Sequence, residues 1–289
     1  MSNIPLIQWY PGHIAKAERA LTKNIHLVDL VIEVRDARIP SSSSHPLFKK
    51  WIDGKNHMLV INRQDMITTE SKSVWQKWFE NKKQENYWCD SKSGKGINEI
   101  KLAAIRSGTM LNNRRVSRGM KKRAVRTLVL GFPNVGKSAL INRLIGRNTV
   151  PSARRAGVTK SLRWIRMGSG LDLLDAPGVL PTKLTNQEAA INLAFCDDIG
   201  EASYDVELIA AEFIKKLNKL STLKSSGFKQ SFYEKRYGIP MNGNMDAIQW
   251  IQDASSIHTS GDTSRMSSKL LDDYRKLLLG KVNLELPND

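Results

Sequence analysis

Apolar residues along the first 175 positions fall into two alternating rhythms. Short continuous runs at 28–34 (interrupted by Asp29 and Glu33), 58–61, 87–89 and 127–130 have the length and composition of buried strands. Between them, residues 13–25 (Ile14, Ala17, Ala20, Leu21), the Trp-rich stretch 74–79 and residues 138–145 place apolar side chains at helical spacing. Residues 162–167 and 171–174 flank Gly168-Ser169-Gly170 and read as a hairpin, and Ser41 to Ser44 with Pro46 mark a loop. Strands alternating with helices predict an α/β fold with a mostly parallel sheet. Residues 107–123 are polar, basic and aperiodic and read as a linker. After Gly178 strand signals thin out, and residues 187–195, 206–217, 245–257 and 264–279 carry apolar positions at helical spacing. The division this predicts is an α/β domain over residues 1–183 and a small all-α domain over residues 184–289.

Composition sharpens the picture at two points. Two cysteines, Cys89 and Cys196, give no disulfide framework, which points to a reduced, cytoplasmic setting. No stretch approaches the roughly 20 apolar residues of a spanning helix, and Met1-Ser2-Asn3-Ile4-Pro5 lacks the basic-then-apolar layout of a signal peptide. The formal net charge is +17, and it is concentrated. Residues 101–170 hold 17 Lys and Arg and no Asp or Glu, whereas residues 186–289 hold 12 basic and 15 acidic side chains. A charge run is commonly only a solvated face. Seventy residues without one acid (101–170) favour a polyanionic partner, and nucleic acid is the expected one.

The chemistry-bearing motifs are complete but reordered. Gly131-Phe132-Pro133-Asn134-Val135-Gly136-Lys137-Ser138 matches the P-loop pattern G-x-x-x-x-G-K-[ST] between a strand and a helix. Its glycines let backbone N–H groups form an anion nest, and the following helix points its positive end at phosphates. The expected phosphate-binding set is Asn134, Val135, Gly136, Lys137, Ser138 and Ala139, with Lys137 reaching the β- and γ-phosphates and Ser138 ligating Mg²⁺. About 70 residues earlier, Asn62-Arg63-Gln64-Asp65 matches the Asn-Lys-x-Asp guanine-reading motif with Arg for Lys. That motif ordinarily follows the P-loop, so the order implies a circularly permuted G domain. A carboxylate at Asp65 accepts from guanine's ring N–H and exocyclic amine together, and adenine would leave it unpaired. Asn62 is expected to tie its loop to the P-loop, and the planar guanidinium of Arg63 to stack over the base.

Asp175-Ala176-Pro177-Gly178 ends an apolar strand and fits the second switch motif, with Asp175 holding Mg²⁺ through water and the Gly178 N–H sensing the γ-phosphate. Thr159, between P-loop and Asp175, is the expected first-switch threonine completing the Mg²⁺ shell. The glutamine that positions water in many GTPases would stand at residue 179, which is Val179. His13, beside Gly12 and before a helical stretch, is the candidate to orient or deprotonate water in its place. The same histidine also reads as a surface or cap residue at a helix start.

Together these motifs resemble the circularly permuted ribosome-assembly GTPases. The matching segments are Trp9-Tyr10-Pro11-Gly12-His13-Ile14-Ala15-Lys16-Ala17, Asp36-Ala37-Arg38-Ile39-Pro40, the variant guanine motif, the P-loop, Asp175-Ala176-Pro177-Gly178, Asp272-Asp273-Tyr274-Arg275 and Leu278-Leu279-Gly280. The resemblance implies hydrolysis of GTP to GDP and phosphate, coupled to late maturation of the large ribosomal subunit and stimulated by it. rRNA is the implied main contact, with ribosomal proteins as further partners. It implies that His13 and Lys137 are catalytic, that Asn134 holds K⁺ beside the Mg²⁺ site, and that Ser91-Lys92 forms the loop lending a backbone N–H to the guanine oxygen. A monomer is expected. Arg63, and Leu180-Pro181-Thr182-Lys183 after the switch, depart from the family pattern. Two other readings are an RNA-linked P-loop ATPase or kinase, against which Asp65 argues, and a non-catalytic RNA-binding scaffold, against which Lys137, Ser138, Thr159 and Asp175 argue.

Overall fold

Six strands form one sheet in the order β3-β2-β1-β4-β6-β5. They are β1 (Leu30–Asp36), β2 (Asn56–Asn62), β3 (Asn86–Trp88), β4 (Val125–Leu130), β5 (Arg163–Arg166) and β6 (Leu171–Asp175). The computed structural model describes residues 7, 21–146, 163–167, 170–175, 186–240 and 246–287. Neighbours from β3 through β6 run parallel. β5 is antiparallel to β6, as the predicted hairpin requires. The parallel strands therefore deliver their carboxyl ends, and the loops that follow, to one edge of the sheet. At that edge the guanine-motif strand β2 and the P-loop strand β4 both flank β1, so distance along the chain between the two motifs becomes proximity in space.

The strands read as unbroken apolar runs because both faces of the sheet are covered. On one face Leu30, Ile32, Val34, Val60, Val129, Leu171 and Leu173 join a cluster that continues into the C-terminal helices. On the other, Val31, Leu128, Leu130 and Leu174 pack with Leu21, Val28, Phe48 and Trp51. Ala37, Leu59 and Ile61 pack with Trp75, Phe79 and Trp88. The helices of this half are α1 (Phe48–Trp51), α2 (Thr69–Asn81), α3 (Ile97–Ser107), α4 (Thr109–Ser117) and α5 (Lys137–Ile145).

Within residues 107–123, read as a linker, lies α4. The segment folds back on itself through side-chain-to-backbone bonds. Asn112 Oδ1 accepts from the Arg123 N–H at 3.0 Å, Asn112 Nδ2 donates to the Arg123 carbonyl at 3.0 Å, and Arg115 Nε donates to the Lys121 carbonyl at 3.1 Å. No residue of α4 is buried, so an apolar period had nothing to report.

The C-terminal region is helical, with α6 (Gln187–Phe195), α7 (Val206–Leu220), α8 (Ser231–Tyr237), α9 (Ala247–His258) and α10 (Thr263–Arg275). α8 escapes the apolar pattern because its buried side chains are two tyrosines, Tyr233 and Tyr237, each edge-on to the buried Trp250. α10 ends before the predicted residue 279 because Leu277 turns to φ 63° and the Leu278 N–H bonds back to the Asp273 carbonyl at 2.8 Å. Leu279 and Val282 stay buried beyond the helix and keep the apolar pattern running.

The chain then returns to the sheet. Asn283 Nδ2 donates to the Ala37 carbonyl at 2.8 Å, the Leu284 N–H to the Arg38 carbonyl at 2.9 Å, and Trp75 Nε1 to the Glu285 carbonyl at 3.1 Å. Both cysteines are buried and unpaired. Among the described residues no helix is long and apolar enough to cross a membrane.

Candidate nucleotide site

The loop between β4 and α5 has the backbone that phosphate binding needs. Gly136 is left-handed at φ 96° and a Cβ there would stand 2.2 Å from Asn62 Nδ2. A Cβ at Gly131 would stand 2.5 Å from the Val34 carbonyl oxygen. Both positions therefore exclude any side chain, one by the guanine loop and the other by β1. Asn134 also adopts a left-handed φ of 56°. Val135 is fully buried, Ser138 and Ala139 lie in the first turn of α5, and Lys137 Nζ donates to the Phe132 carbonyl at 2.6 Å. That contact folds the lysine over its own loop, which is where it must sit to meet phosphate oxygens.

Asn62 joins three loops. Its Nδ2 donates to the Val135 carbonyl at 2.9 Å, and its Oδ1 accepts from the Ser91 N–H at 3.1 Å and the Ser91 hydroxyl at 2.9 Å. Cys89 Sγ also donates to it at 3.3 Å, and burial pushes that thiol up to about 12, so it keeps its proton. From α5, Arg143 Nε donates to the Ser91 carbonyl at 3.0 Å and its Nη2 to the Lys92 carbonyl. The expected tie between guanine loop and P-loop is thus present. The Ser91 N–H is taken by Asn62 Oδ1 and the Lys92 N–H by Asp90 Oδ1 at 2.7 Å. Lending one to a guanine oxygen requires it to leave its present partner.

Asp65 lies half-buried on the 3₁₀ turn Gln64–Met66. Burial, then the nearby charge of Asp90, raises its carboxyl above the ordinary value. Arg63 is engaged by groups from three segments. Its backbone is left-handed at φ 63°, and its guanidinium bonds Asp36 Oδ2 at 2.6 Å, donates to the Asn134 carbonyl, and comes within 3.6 Å of Asp198 Oδ1. The buried Asp36 carboxylate fixes the guanidinium, whereas burial and the charge of Asp36 push the Asp198 carboxyl up to about 8.

Of the expected Mg²⁺ set, Ser138 and the backbone of Asp175 lie among the described residues. Ser138 lies in the first turn of α5, and Asp175 ends β6 in register with Val129, two residues before the P-loop begins. A hydroxyl and a carboxylate are oxygen donors of the kind Mg²⁺ takes. Asn134 presents Nδ2 to the Asp197 carbonyl at 2.6 Å, which turns its Oδ1, a neutral oxygen suited to K⁺, the other way. His13, Thr159, Gly178 and Val179 lie outside the described residues.

Sequence reasoning gave no role to Asp36, Asp197 or Asp198. Asp36 was visible only inside a matched motif, and nothing in the spacing of Asp197 and Asp198 signals a partner 63 or more positions away. Of the basic residues ahead of the P-loop, Arg114, Arg118, Lys121 and Lys122 are exposed. Arg123 is not available in the same way, because Asp29 holds it through two bonds at 2.6 and 2.8 Å.

A sequence model of the family described as 50S ribosome-binding GTPase matches residues 126–230. The match begins inside β4, as a model in ordinary motif order must when the guanine motif lies upstream. Ribosome biogenesis GTPase A of Bacillus pumilus is 34% identical over 213 residues, covering 74% of this chain and 76% of its own. The protein of the same name from Bacillus cereus is 35% identical over 214 residues, covering 74% and 72%. Among solved structures, GNP-bound YlqF from T. maritima superposes with a TM-score of 0.60 at 21% identity, over 95% of this chain and 99% of that one.

Proposed function

The chain belongs to the ribosome biogenesis GTPase A family, and from that premise we propose that this GTPase acts in late maturation of the large ribosomal subunit through contact with rRNA. The observation that carries the reading is Asn62, which binds the P-loop at Val135 and the third loop at Ser91 and so brings the permuted motifs together.

In this reading Asp65 selects guanine through its two carboxylate oxygens. Lys137 and the backbone of Val135, Gly136, Ser138 and Ala139 hold the phosphates. Ser138, Thr159 and Asp175 hold Mg²⁺, which offsets charge on the phosphate oxygens when bound. The Asn134 side-chain oxygen holds K⁺. His13 orients the attacking water, because Val179 cannot, and Gly178 reports the γ-phosphate to the helical region. Residues 1–183 then act as the nucleotide-handling unit and residues 184–289 as the unit its switch moves. Arg114, Arg118, Lys121 and Lys122 face rRNA phosphates. The expected setting is the cytoplasm, and the expected form a monomer.

GTP hydrolysis measured with and without purified large subunits, in potassium and in sodium at equal ionic strength, tests this reading. We expect stimulation by the subunits and by potassium, and His13→Ala should lower the subunit-stimulated rate roughly 10²–10⁴-fold with GTP affinity retained. A rate indifferent to large subunits overturns the assembly role, and a wild-type rate for His13→Ala on the subunit overturns the histidine.

A further inference from the structure

Two motifs without a task in nucleotide chemistry, Asp36-Ala37-Arg38 and Asp272-Asp273-Tyr274-Arg275, converge on residues 196–198 at the end of α6. From the first, the buried Arg38 binds Asp36 through Nε at 3.0 Å and Nη2 at 2.7 Å, and donates to the Cys196 carbonyl at 3.1 Å. From the second, Tyr274 lies under the Arg38 guanidinium, 5.6 Å from ring centre to Cζ. Its neighbour Arg275 donates to the Phe195 carbonyl at 3.1 Å and the Ala194 carbonyl at 2.9 Å, satisfying the last turn of α6.

The turn so held bonds the P-loop directly at Asn134. The Asp197 carbonyl, on a residue with φ 61°, accepts from Asn134 Nδ2 at 2.6 Å. Asp198 is fully buried, and neither of its carboxylate oxygens has a hydrogen-bond partner among the described residues. The nearest cation is Arg63, at 3.6 Å, which donates to the Asn134 carbonyl from the other side. A planar guanidinium spans Asp36, Asn134 and Asp198 together, which a lysine ammonium, a single compact charge, does not do. This gives a physical reason for Arg63 where the guanine motif ordinarily carries Lys.

We propose that residues 196–198 are a positioning element for the P-loop, through which α10 and Arg275 control the rate at which guanine nucleotide leaves. The proposal rests on the guanine-nucleotide reading of the site. Arg275 fixes the end of α6, the turn fixes Asn134 from its side chain, and Arg63 fixes it from its carbonyl. Loosening the turn removes the acceptor of Asn134 Nδ2 and frees the loop that wraps the phosphates.

The test is release of a fluorescent GDP analogue from the full chain by stopped flow, with thermal unfolding of each variant measured alongside. Arg275→Gln should speed release roughly 5–20-fold, and Arg275→Lys should reverse part of that change. Arg63→Lys should also speed release, and the double variant Arg63→Lys/Arg275→Gln should fall short of the product of the single effects, because both act on one residue. A purely structural role for Arg275 would lower the unfolding temperature and leave release alone. Release from Arg275→Gln within about twofold of wild type, or single effects that simply multiply, overturns the proposal. If Arg275→Gln does not fold, Arg275→Lys decides: faster release supports the coupling and unchanged release overturns it. A wild-type chain that binds no GDP analogue removes the nucleotide reading and this proposal with it, whereas binding with unchanged release in the variants overturns the coupling alone.

Discussion

Buried polar groups serve different ends on the two sides of this molecule. Around the nucleotide loops they tie backbone to backbone across loops, as Asn62 does between Val135 and Ser91. In the helical region they lock helices and the chain end in place. Asp273 accepts from Arg236 at 2.8 and 3.0 Å and from the Tyr237 hydroxyl at 2.9 Å. Glu285 accepts from the Ser41 N–H at 2.8 Å, the Ser42 N–H at 3.0 Å and Asn192 Nδ2 at 3.0 Å. Loops that bind and release a ligand need close placement with few apolar contacts, so their order comes from hydrogen bonds. The helices have aromatic packing to spare, and their polar groups choose among arrangements that packing alone would permit.

If that contrast holds, damage on each side should read out differently. The largest effect belongs to Trp250, fully buried between Tyr233 and Tyr237. Trp250→Ala should cost about 3–5 kcal/mol in denaturant unfolding, with GTP hydrolysis per folded molecule unchanged. Lys137→Ala should do the reverse, lowering hydrolysis roughly 10²–10³-fold while the unfolding midpoint moves little. A midpoint that collapses would make this lysine chiefly a loop-folding residue, through its bond to the Phe132 carbonyl.

A change of specificity comes next. Asp65→Asn should weaken GTP by about 1–3 kcal/mol and shift preference toward xanthosine triphosphate, which presents a carbonyl where guanine has its amine. Unchanged preference in competition binding would remove Asp65 from the base. GTP affinity of the wild type should also begin to fall at a higher pH than an ordinary aspartate dictates, because burial and Asp90 raise this carboxyl and binding needs it ionised.

Glu285→Gln should cost about 1–3 kcal/mol by turning an amide donor toward N–H groups that need an acceptor. Its pH dependence has a definite sign. Burial raises the Glu285 carboxyl despite bonds from Ser42, Ser41 and Asn192. The folded state therefore keeps the proton longer than the unfolded state, and wild-type stability falls as pH rises from the ordinary glutamate value through the raised one. That slope should be absent in Glu285→Gln, and melting curves across the range would show it.

The smallest effect on the isolated protein is at the surface. Neutralising Arg114, Arg118, Lys121 and Lys122 should leave stability and GTP binding intact. It should flatten the salt dependence of large-subunit binding by about 0.7–0.9 log units per log unit of salt for each phosphate no longer neutralised. An unchanged slope would make this face merely solvated. Arg123→Ala should instead cost stability, since its charge is engaged by Asp29.

What the amino-acid sequence determined by itself were the features set by local backbone rules and short-range pattern. Five of the six strands are legible as apolar runs or hairpin arms around residues that recur in the sheet, and the short β3 as residues 87–89. The P-loop is legible because glycine, lysine and serine at fixed spacing have few other uses. The permuted order is legible because order is a property of the chain. Tertiary structure alone decided the rest. α4 is held by Asn112 and Arg115 rather than by an apolar stripe, and α8 by tyrosines whose burial depends on Trp250. Arg63 meets Asp36 and Asp198 because folding brings them beside it from distant segments. The turn at residues 196–198 acquires its contacts from Arg38, Arg63 and Asn134, and the helix end before it from Arg275. Such contacts leave no periodic trace, because a buried charge is stabilised by whichever residues the fold brings within a few ångströms, and sequence separation does not enter that energy.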